Sequence, residues 1–235
     1  MRHYLLTRAA YGPDVPLDVN RRRLDLTEGV LVRSLAAQTT KDVTWVVLID
    51  PKDPLLDERI SVLRESGLRL VTGDAGRMVR GHRFDRPWGP WPKYIERDGP
   101  TLTTRIDDDD AFAPWVLERF TAAAEARTLR KRIIWTLPVG WRTHAGRVNL
   151  RTDVLTQFTA LYSPSRDTHT IMHINHTSMD RLAPIEPLTE EPAWVWTRHD
   201  DARSKDSRAS TMNRDAMFPL TDEIRAQFDI DWSLV

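Results

Sequence analysis

The feature of the sequence that most constrains the fold is the run VTWVVLID at residues 43–50, which is almost entirely β-branched and aromatic. A strand of this composition, without polar alternation, is typical of a parallel sheet that is covered on both faces. The Asp50-Pro51 pair that follows is a turn signal and ends the strand. The run therefore predicts a sheet buried between helices.

Strand and helix patterns alternate around this run, as they do in α/β proteins. We predict strands at 3–8, 43–50, 68–71 and 101–106, and helices at 25–39, 54–67 and 114–127. In the first helix Asp25 is the expected N-cap, with Glu28 three residues later. A long connection rich in Arg, Gly, Pro and Trp spans 72–100. This order predicts an open α/β sheet whose ligand lies at the carboxyl ends of the strands.

The second half of the chain carries weaker patterns. Shorter strands are predicted at 132–138, 146–151, 158–163 and 169–174, and the region from Pro184 onward is expected to be irregular and polar. A length of 235 residues fits one sizeable domain better than two independent ones. We therefore expect a single domain over 1–235.

Composition excludes several classes of protein. The 34 Lys and Arg residues balance the 34 Asp and Glu residues, so no overall charge attracts nucleic acid or an anionic membrane. The chain has no Cys, which removes disulfides and thiolate ligands. No run approaches the roughly 20 apolar residues of a membrane-spanning helix. We expect a soluble, cytoplasmic protein.

Four consecutive carboxylates, Asp107 to Asp110, follow the predicted strand in TTRIDDDDAF (103–112). Each negative charge disfavours ionisation of its neighbours unless a cation compensates, so a metal ion is expected. If the strand end is extended, Asp107 and Asp109 face the ligand and Asp108 points elsewhere. The alternative is a solvated acidic turn that caps the following helix.

Two segments carry a resemblance to a known family. RSLAAQTTKDVTWVVLIDP (33–51) and TTRIDDDDAF, together with LLTR near the start of the chain, resemble nucleotide-sugar glycosyltransferases of the GT-A fold, and most closely the rhamnosyltransferase family. The resemblance implies a GT-A-like open mixed sheet flanked by helices, with a Rossmann-like N-terminal half. It also implies a nucleotide-binding half at 1–112, followed at 113–235 by an acceptor half and a C-terminal segment.

The implied reaction moves a sugar from a nucleotide-diphosphate donor to an acceptor hydroxyl, with Mn²⁺ or Mg²⁺ as cofactor. The resemblance makes Asp109 the first candidate for the metal, with Asp107 towards the ribose or the metal and Asp110 as an alternate ligand. Asp108 belongs to the same donor-binding cluster.

Other donor-site residues are also implied by the resemblance. Thr7, Arg8 and Asp50 end the first two strands and are expected to contact the nucleotide base and ribose. Arg105 is expected to form a salt bridge with the acidic run and hold its shape. His199 is expected to be a further ligand of the metal ion, and the segment that contains it is expected to close over the donor.

The catalytic base is less well defined, because no Glu-Asp motif follows residue 140. Asp153 is a candidate base, with His176 behind it, although structural roles are favoured for both His173 and His176. Whether the reaction inverts or retains the anomeric configuration stays open. The acceptor also stays open among a glycan, a lipid-linked sugar, a protein and a nucleobase.

Two further hypotheses compete with sugar transfer. An acidic cluster at a strand end also serves phosphoryl-transfer enzymes and nucleases, which use two metals. A non-enzymatic module could use the cluster to bind a cation. In addition, Arg77, Arg80, Arg83 and Arg86 form either a basic wall for a phosphate or a solvated helix face.

Overall fold

The structure is a computed structural model that describes residues 1–9, 15–75, 91–127, 130–167, 169–198 and 217–235. The strands are β1 (Arg2–Ala9), β2 (Thr44–Ile49), β3 (Arg69–Asp74), β4 (Thr101–Arg105), β5 (Ala111–Phe112), β6 (Ile133–Thr136), β7 (Val139–His144), β8 (Arg147–Thr152), β9 (Thr159–Ser163), β10 (Ile185–Pro187), β11 (Trp194–Arg198) and β12 (Phe218–Pro219). The α-helices are α1 (Leu17–Leu26), α2 (Arg33–Ala36), α3 (Leu56–Arg64), α4 (Val116–Glu125) and α5 (Asp222–Arg225).

A seven-stranded sheet forms the centre of the fold, in the order β10-β6-β9-β4-β1-β2-β3. Its strands are parallel to one another except for β9, which runs antiparallel to both of its neighbours. The predicted open mixed sheet flanked by helices is confirmed. Because β1, β2 and β4 are parallel, their carboxyl ends lie at one edge of the sheet.

The apolar run in β2 is buried on both faces, as its composition predicts. Trp45, Val47 and Ile49 belong to the larger hydrophobic core, which also contains the buried faces of α1, α3 and α4. Val46 and Leu48, which alternate with them, belong to a smaller core that includes residues of the 3₁₀ segments. The sheet therefore has a covered layer on each side.

A second, five-stranded sheet was not predicted. Its order is β12-β8-β7-β11-β5, and β11 and β12 lie in the region that the sequence pattern assigned as irregular. Strands β7 and β8 form a hairpin through Ala145 and Gly146, which have φ values of 50° and 71°. Two positive φ values match the twist of a tight hairpin turn. The second sheet brings β11 beside Asp109 and Asp110, which follow β4.

The first helical region begins earlier than predicted, so Asp25 is not an N-cap. Helix α1 starts at Leu17 after Pro16, a π-helical segment (Thr27–Val32) continues it, and α2 follows. The apolar pattern after residue 25 marked only the second part of this region. The buried face of α1 therefore escaped the sequence analysis.

The predicted strand at 169–174 is also wrong. Ile171–His173 is a 3₁₀ turn that Thr170 caps, with its side chain accepting a hydrogen bond from the Met172 backbone N–H. The Nδ1 atom of His173 accepts a hydrogen bond from the Thr170 backbone N–H at 3.0 Å. Burial lowers the pKa of His173 to about 4, and the predicted structural role of this histidine is confirmed.

None of the helices in the described ranges has the length and apolar character that a membrane crossing requires.

Candidate active site

The site lies at the carboxyl edge of the central sheet. Ala9 at the end of β1 is paired with Ile49 at the end of β2, and Arg105 at the end of β4 is paired with Leu6. This register places Arg8, Asp50 and the residues after Arg105 along a single edge. Ligands of open α/β sheets bind at such an edge.

Asp107 to Asp110 form a turn, which we call the acidic turn. The backbone N–H of Asp110 donates to the carbonyl oxygen of Asp107 at 3.4 Å, so the segment is not the extended strand end that we expected. The side chains of Asp107 and Asp109 are 33% and 16% exposed, against 7% for Asp108. Asp107 and Asp109 are thus the more accessible carboxylates.

Two arginines hold the acidic turn. Arg105 lies 3.6 Å from the Asp107 carboxylate, which confirms the predicted salt bridge. Arg23, from α1, donates from Nη1 to Asp109 at 3.3 Å and lies 3.8 Å from Asp108. Since Asp108 is nearly buried and paired with Arg23, we no longer assign it a direct contact with the donor.

Asp110 lies in the protein interior. One carboxylate oxygen accepts a hydrogen bond from the Thr197 backbone N–H at 3.1 Å, and the other accepts one from Gln157 Nε2 at 2.7 Å. Burial raises the pKa of Asp110 well above its ordinary value, and the charges of Asp109 and Asp107 raise it further. The hydrogen bonds from Thr197 and Gln157 act in the opposite direction. We assign Asp110 to positioning the turn rather than to the metal.

The other predicted donor-site residues differ in accessibility. Thr7 is fully buried, and its hydroxyl accepts a hydrogen bond from Trp45 Nε1 at 3.0 Å, so its side chain supports the sheet instead of facing a nucleotide. Arg8 is half-buried. Asp50 is also half-buried, and one carboxylate oxygen accepts a hydrogen bond from the Lys52 backbone N–H at 2.9 Å.

Asp153 and His176 approach the acidic turn from the second half of the chain. Asp153 is exposed, and its backbone N–H donates to the carbonyl oxygen of Pro138 at 2.8 Å, just beyond the end of β6. Burial lowers the pKa of His176, and the charge of Arg105 lowers it further, whereas Asp107 and Asp153 raise it. Asp107, Arg105, Asp153 and His176 therefore lie close enough for their charges to interact.

His199 lies outside the described residues, as do Arg77, Arg80, Arg83 and Arg86. Within the described ranges, no group of three or more acidic or histidine side chains is arranged to hold a metal ion.

Sequence reasoning missed three residues that bind the acidic turn. Arg23 lies on the buried face of α1 with Asn20 and Leu24, a face that a correct helix start would have shown. Thr197 belongs to β11, in the region assigned as irregular. Gln157 carries no local sequence signal.

Comparisons with known proteins give low structural similarities and one extensive family match. A search among curated proteins gave no match. Of the solved structures, S. aureus TarS is similar at 12% identity and a TM-score of 0.49, and the alignment covers 84% of this chain and 37% of the TarS chain. Mouse xyloside xylosyltransferase 1 is similar at 9% identity and a TM-score of 0.45, and the alignment covers 80% of this chain and 85% of the mouse chain. These values are too low to carry an argument about function, and this chain spans little more than a third of TarS.

The match to a family model is much more extensive. The model described as "Putative rhamnosyl transferase" matches residues 18–211, which include α1 except its first residue, the acidic turn, Asp153, His176 and Thr197. The match covers most of the chain and both halves of the site. The chain therefore belongs to this rhamnosyl transferase family and is a glycosyltransferase.

Proposed function

We propose that this glycosyltransferase uses a nucleotide-diphosphate sugar as donor and requires Mg²⁺ or Mn²⁺ at the acidic turn. The observation that carries the proposal is the pair of partly exposed carboxylates, Asp107 and Asp109, at the carboxyl edge of the sheet. Arg8 and Asp50 end the neighbouring strands at the same edge. The phosphate oxygens of a diphosphate would complement a metal ion and Arg8, and the hydroxyls of a ribose would complement Asp50.

The chemistry of the acidic turn fits a divalent cation. Mg²⁺ bound with a nucleotide usually takes one or two protein carboxylates and completes its shell with phosphate oxygens and water. Asp107 and Asp109 supply such a donor set. Burial raises the pKa of Asp110, and the negative charges of Asp109 and Asp107 raise it further. A cation bound at Asp107 and Asp109 would offset that second contribution. A bound cation would stabilise the charge that develops on the departing diphosphate.

Arg8 and Asp50 bind the remaining parts of the donor in this proposal. Arg8 offers a guanidinium to a phosphate oxygen, a pairing that suits the planar fork of arginine. Asp50 accepts hydrogen bonds from ribose hydroxyls. Arg105 keeps Asp107 in place through their ion pair. His199 as a further metal ligand stays a prediction.

His176 is the proposed proton acceptor. Because burial and Arg105 lower its pKa, its imidazole is neutral at pH 7 and free to take a proton. The acceptor hydroxyl gives its proton to His176 while its oxygen bonds to the anomeric carbon. The bond between that carbon and the diphosphate oxygen breaks. The charge of Asp153 stabilises the imidazolium that forms; in the alternative arrangement Asp153 itself takes the proton.

We also assign the two halves of the chain to the two substrates. Residues 1–112 carry the donor-binding strands, and 113–235 carry Asp153 and His176, which meet a glycan acceptor. The hydrogen bonds from Thr197 to the acidic turn mean that the second half also supports the donor site.

Slow hydrolysis of the donor in the absence of acceptor tests the proposal. The protein is incubated with UDP-, GDP- and dTDP-sugars, including dTDP-rhamnose, with Mn²⁺ or with EDTA. We expect release of free sugar from one donor in Mn²⁺ and its loss in EDTA. Equal hydrolysis under both conditions contradicts metal dependence, and no hydrolysis of any donor by folded protein contradicts the proposed donor class.

A further inference from the structure

Arg23 is a buried cation shared by two carboxylates of the acidic turn. Its side chain is 8% exposed, and those of Asp108 and Asp109 are 7% and 16% exposed. The same nitrogen, Nη1, makes both contacts, at 3.3 Å to Asp109 and 3.8 Å to Asp108. An arginine stays charged even when buried, so this position always supplies a positive charge.

The geometry permits an exchange of partners. Because one nitrogen serves both carboxylates, a small rotation of the guanidinium towards Asp108 shortens one contact and lengthens the other. Asp108 is the less exposed of the two and is therefore the more protected partner. Of the two partners of Arg23, Asp109, at 16% exposure, is the carboxylate that a cation from solvent can reach.

We propose that Arg23 is a built-in counter-ion, which holds Asp109 in the metal-free enzyme and releases it to the metal while Asp108 retains the guanidinium. The inference rests on the proposed function, since it takes Asp109 as a metal ligand. It also gives Asp108, which lies between the two proposed metal ligands Asp107 and Asp109, a role of its own: Asp108 binds the displaced arginine.

Two consequences follow from this arrangement. The acidic turn keeps its shape without metal, because Arg23 offsets the repulsion between neighbouring carboxylates. Metal binding becomes an exchange of one cation for another, so the metal alone binds more weakly than the carboxylates would otherwise allow. Loss of Arg23 should therefore strengthen the binding of metal alone.

Titration with Mn²⁺ alone, followed through the EPR signal of the free ion, tests the proposal in Arg23→Gln and Arg23→Lys. Arg22→Gln is the matched control, because Arg22 is an exposed neighbour on α1 that pairs with Asp18 at 3.0 Å. Because Mn²⁺ no longer displaces a guanidinium from Asp109, we expect about tenfold tighter binding in Arg23→Gln. Arg23→Lys, which lacks the guanidinium fork, should bind more tightly by a smaller factor. Arg22→Gln should match the wild type.

Unchanged or weaker Mn²⁺ binding in Arg23→Gln contradicts the counter-ion role and indicates that Arg23 only positions the turn. If Arg23→Gln does not fold, Arg23→Lys decides by the same criterion. Failure of the proposed function has a different signature: the wild type then binds no Mn²⁺ either alone or with UDP, GDP or dTDP. If the wild type binds Mn²⁺ only with a nucleotide, all variants are compared at a saturating concentration of that nucleotide.

Discussion

Thr197 is joined to Asp110 by a hydrogen bond from its backbone N–H to the buried carboxylate, at 3.1 Å. Its hydroxyl also donates to the carbonyl oxygen of Asp109 at 2.5 Å. Both Thr197 and Asp110 are buried. The two bonds fix the acidic turn against β11, so the second sheet contributes to the geometry of the proposed metal site.

Thr197→Val tests this connection, because valine keeps the shape and the backbone N–H but removes the hydroxyl. Loss of one buried hydrogen bond should lower the free energy of unfolding by about 1 kcal/mol, measured by urea denaturation. Thr143→Val is the matched control: Thr143 is paired with Thr197 in β7, and its buried hydroxyl has no hydrogen-bond partner in the described ranges. Equal destabilisation by the two substitutions contradicts the role of the Thr197 hydroxyl.

His3 should make stability depend on pH. It is fully buried between Thr121 and Thr104, at 2.9 and 2.7 Å from their hydroxyl oxygens, and burial lowers its pKa to about 3. Unfolding therefore takes up a proton between pH 3 and about 6.5. The stability that the neutral ring contributes is present above pH 6.5 and is lost as the pH falls.

For the wild type, this linkage predicts a loss of about 2 kcal/mol from His3 between pH 7.5 and pH 5. His3→Gln removes the titrating group and should lose correspondingly less stability over the same range. Urea denaturation of both proteins at the two pH values measures the difference. Parallel pH profiles for the wild type and His3→Gln are the outcome that rules out this effect.

The proposed base can be tested apart from donor binding. His176→Gln should lower kcat for donor hydrolysis by about a hundredfold while leaving the affinity for the nucleotide diphosphate close to that of the wild type. Because the pKa of His176 lies below its ordinary value, its imidazole becomes protonated only at acidic pH, and the wild-type hydrolysis rate should decrease there. The rate of His176→Gln should not show this acidic decrease. Asp153→Asn removes a charge that raises the pKa of His176, so the decrease in hydrolysis rate should occur at a lower pH than in the wild type. A variant that loses affinity but not kcat would assign His176 to binding.

The central sheet could be predicted because its strands carry local signals. The unbroken apolar run of β2 requires burial on both faces, whatever surrounds it. Strand β8 was predicted at 146–151, but two of its companions in the second sheet were not: β12 (FP) has only two residues, and β11 lies in the region assigned as irregular. Their pairing depends on neighbours that are distant in sequence, and the second sheet was therefore missed.

The same distinction applies to the site. Four adjacent aspartates are visible in any sequence, and the salt bridge of Arg105 to Asp107 spans only two residues. Arg23 and Thr197 reach the acidic turn from 86 and 88 residues away, so only the tertiary fold identifies them as its partners. The turn itself was mistaken for an extended strand end because the hydrogen bond between Asp110 and Asp107 has no sequence signal.

Metal-dependent nucleotide binding at Asp109 is the central claim, and isothermal titration calorimetry with UDP, GDP and dTDP tests it most directly. The control is Asp98→Asn, the same substitution at an exposed aspartate that precedes β4 at the opposite edge of the sheet. We predict that Mn²⁺ strengthens binding of one nucleotide by at least about tenfold in the wild type and Asp98→Asn, and that this gain disappears in Asp109→Asn. Equal affinity with and without Mn²⁺ in the wild type, or a gain that persists in Asp109→Asn, would contradict the claim.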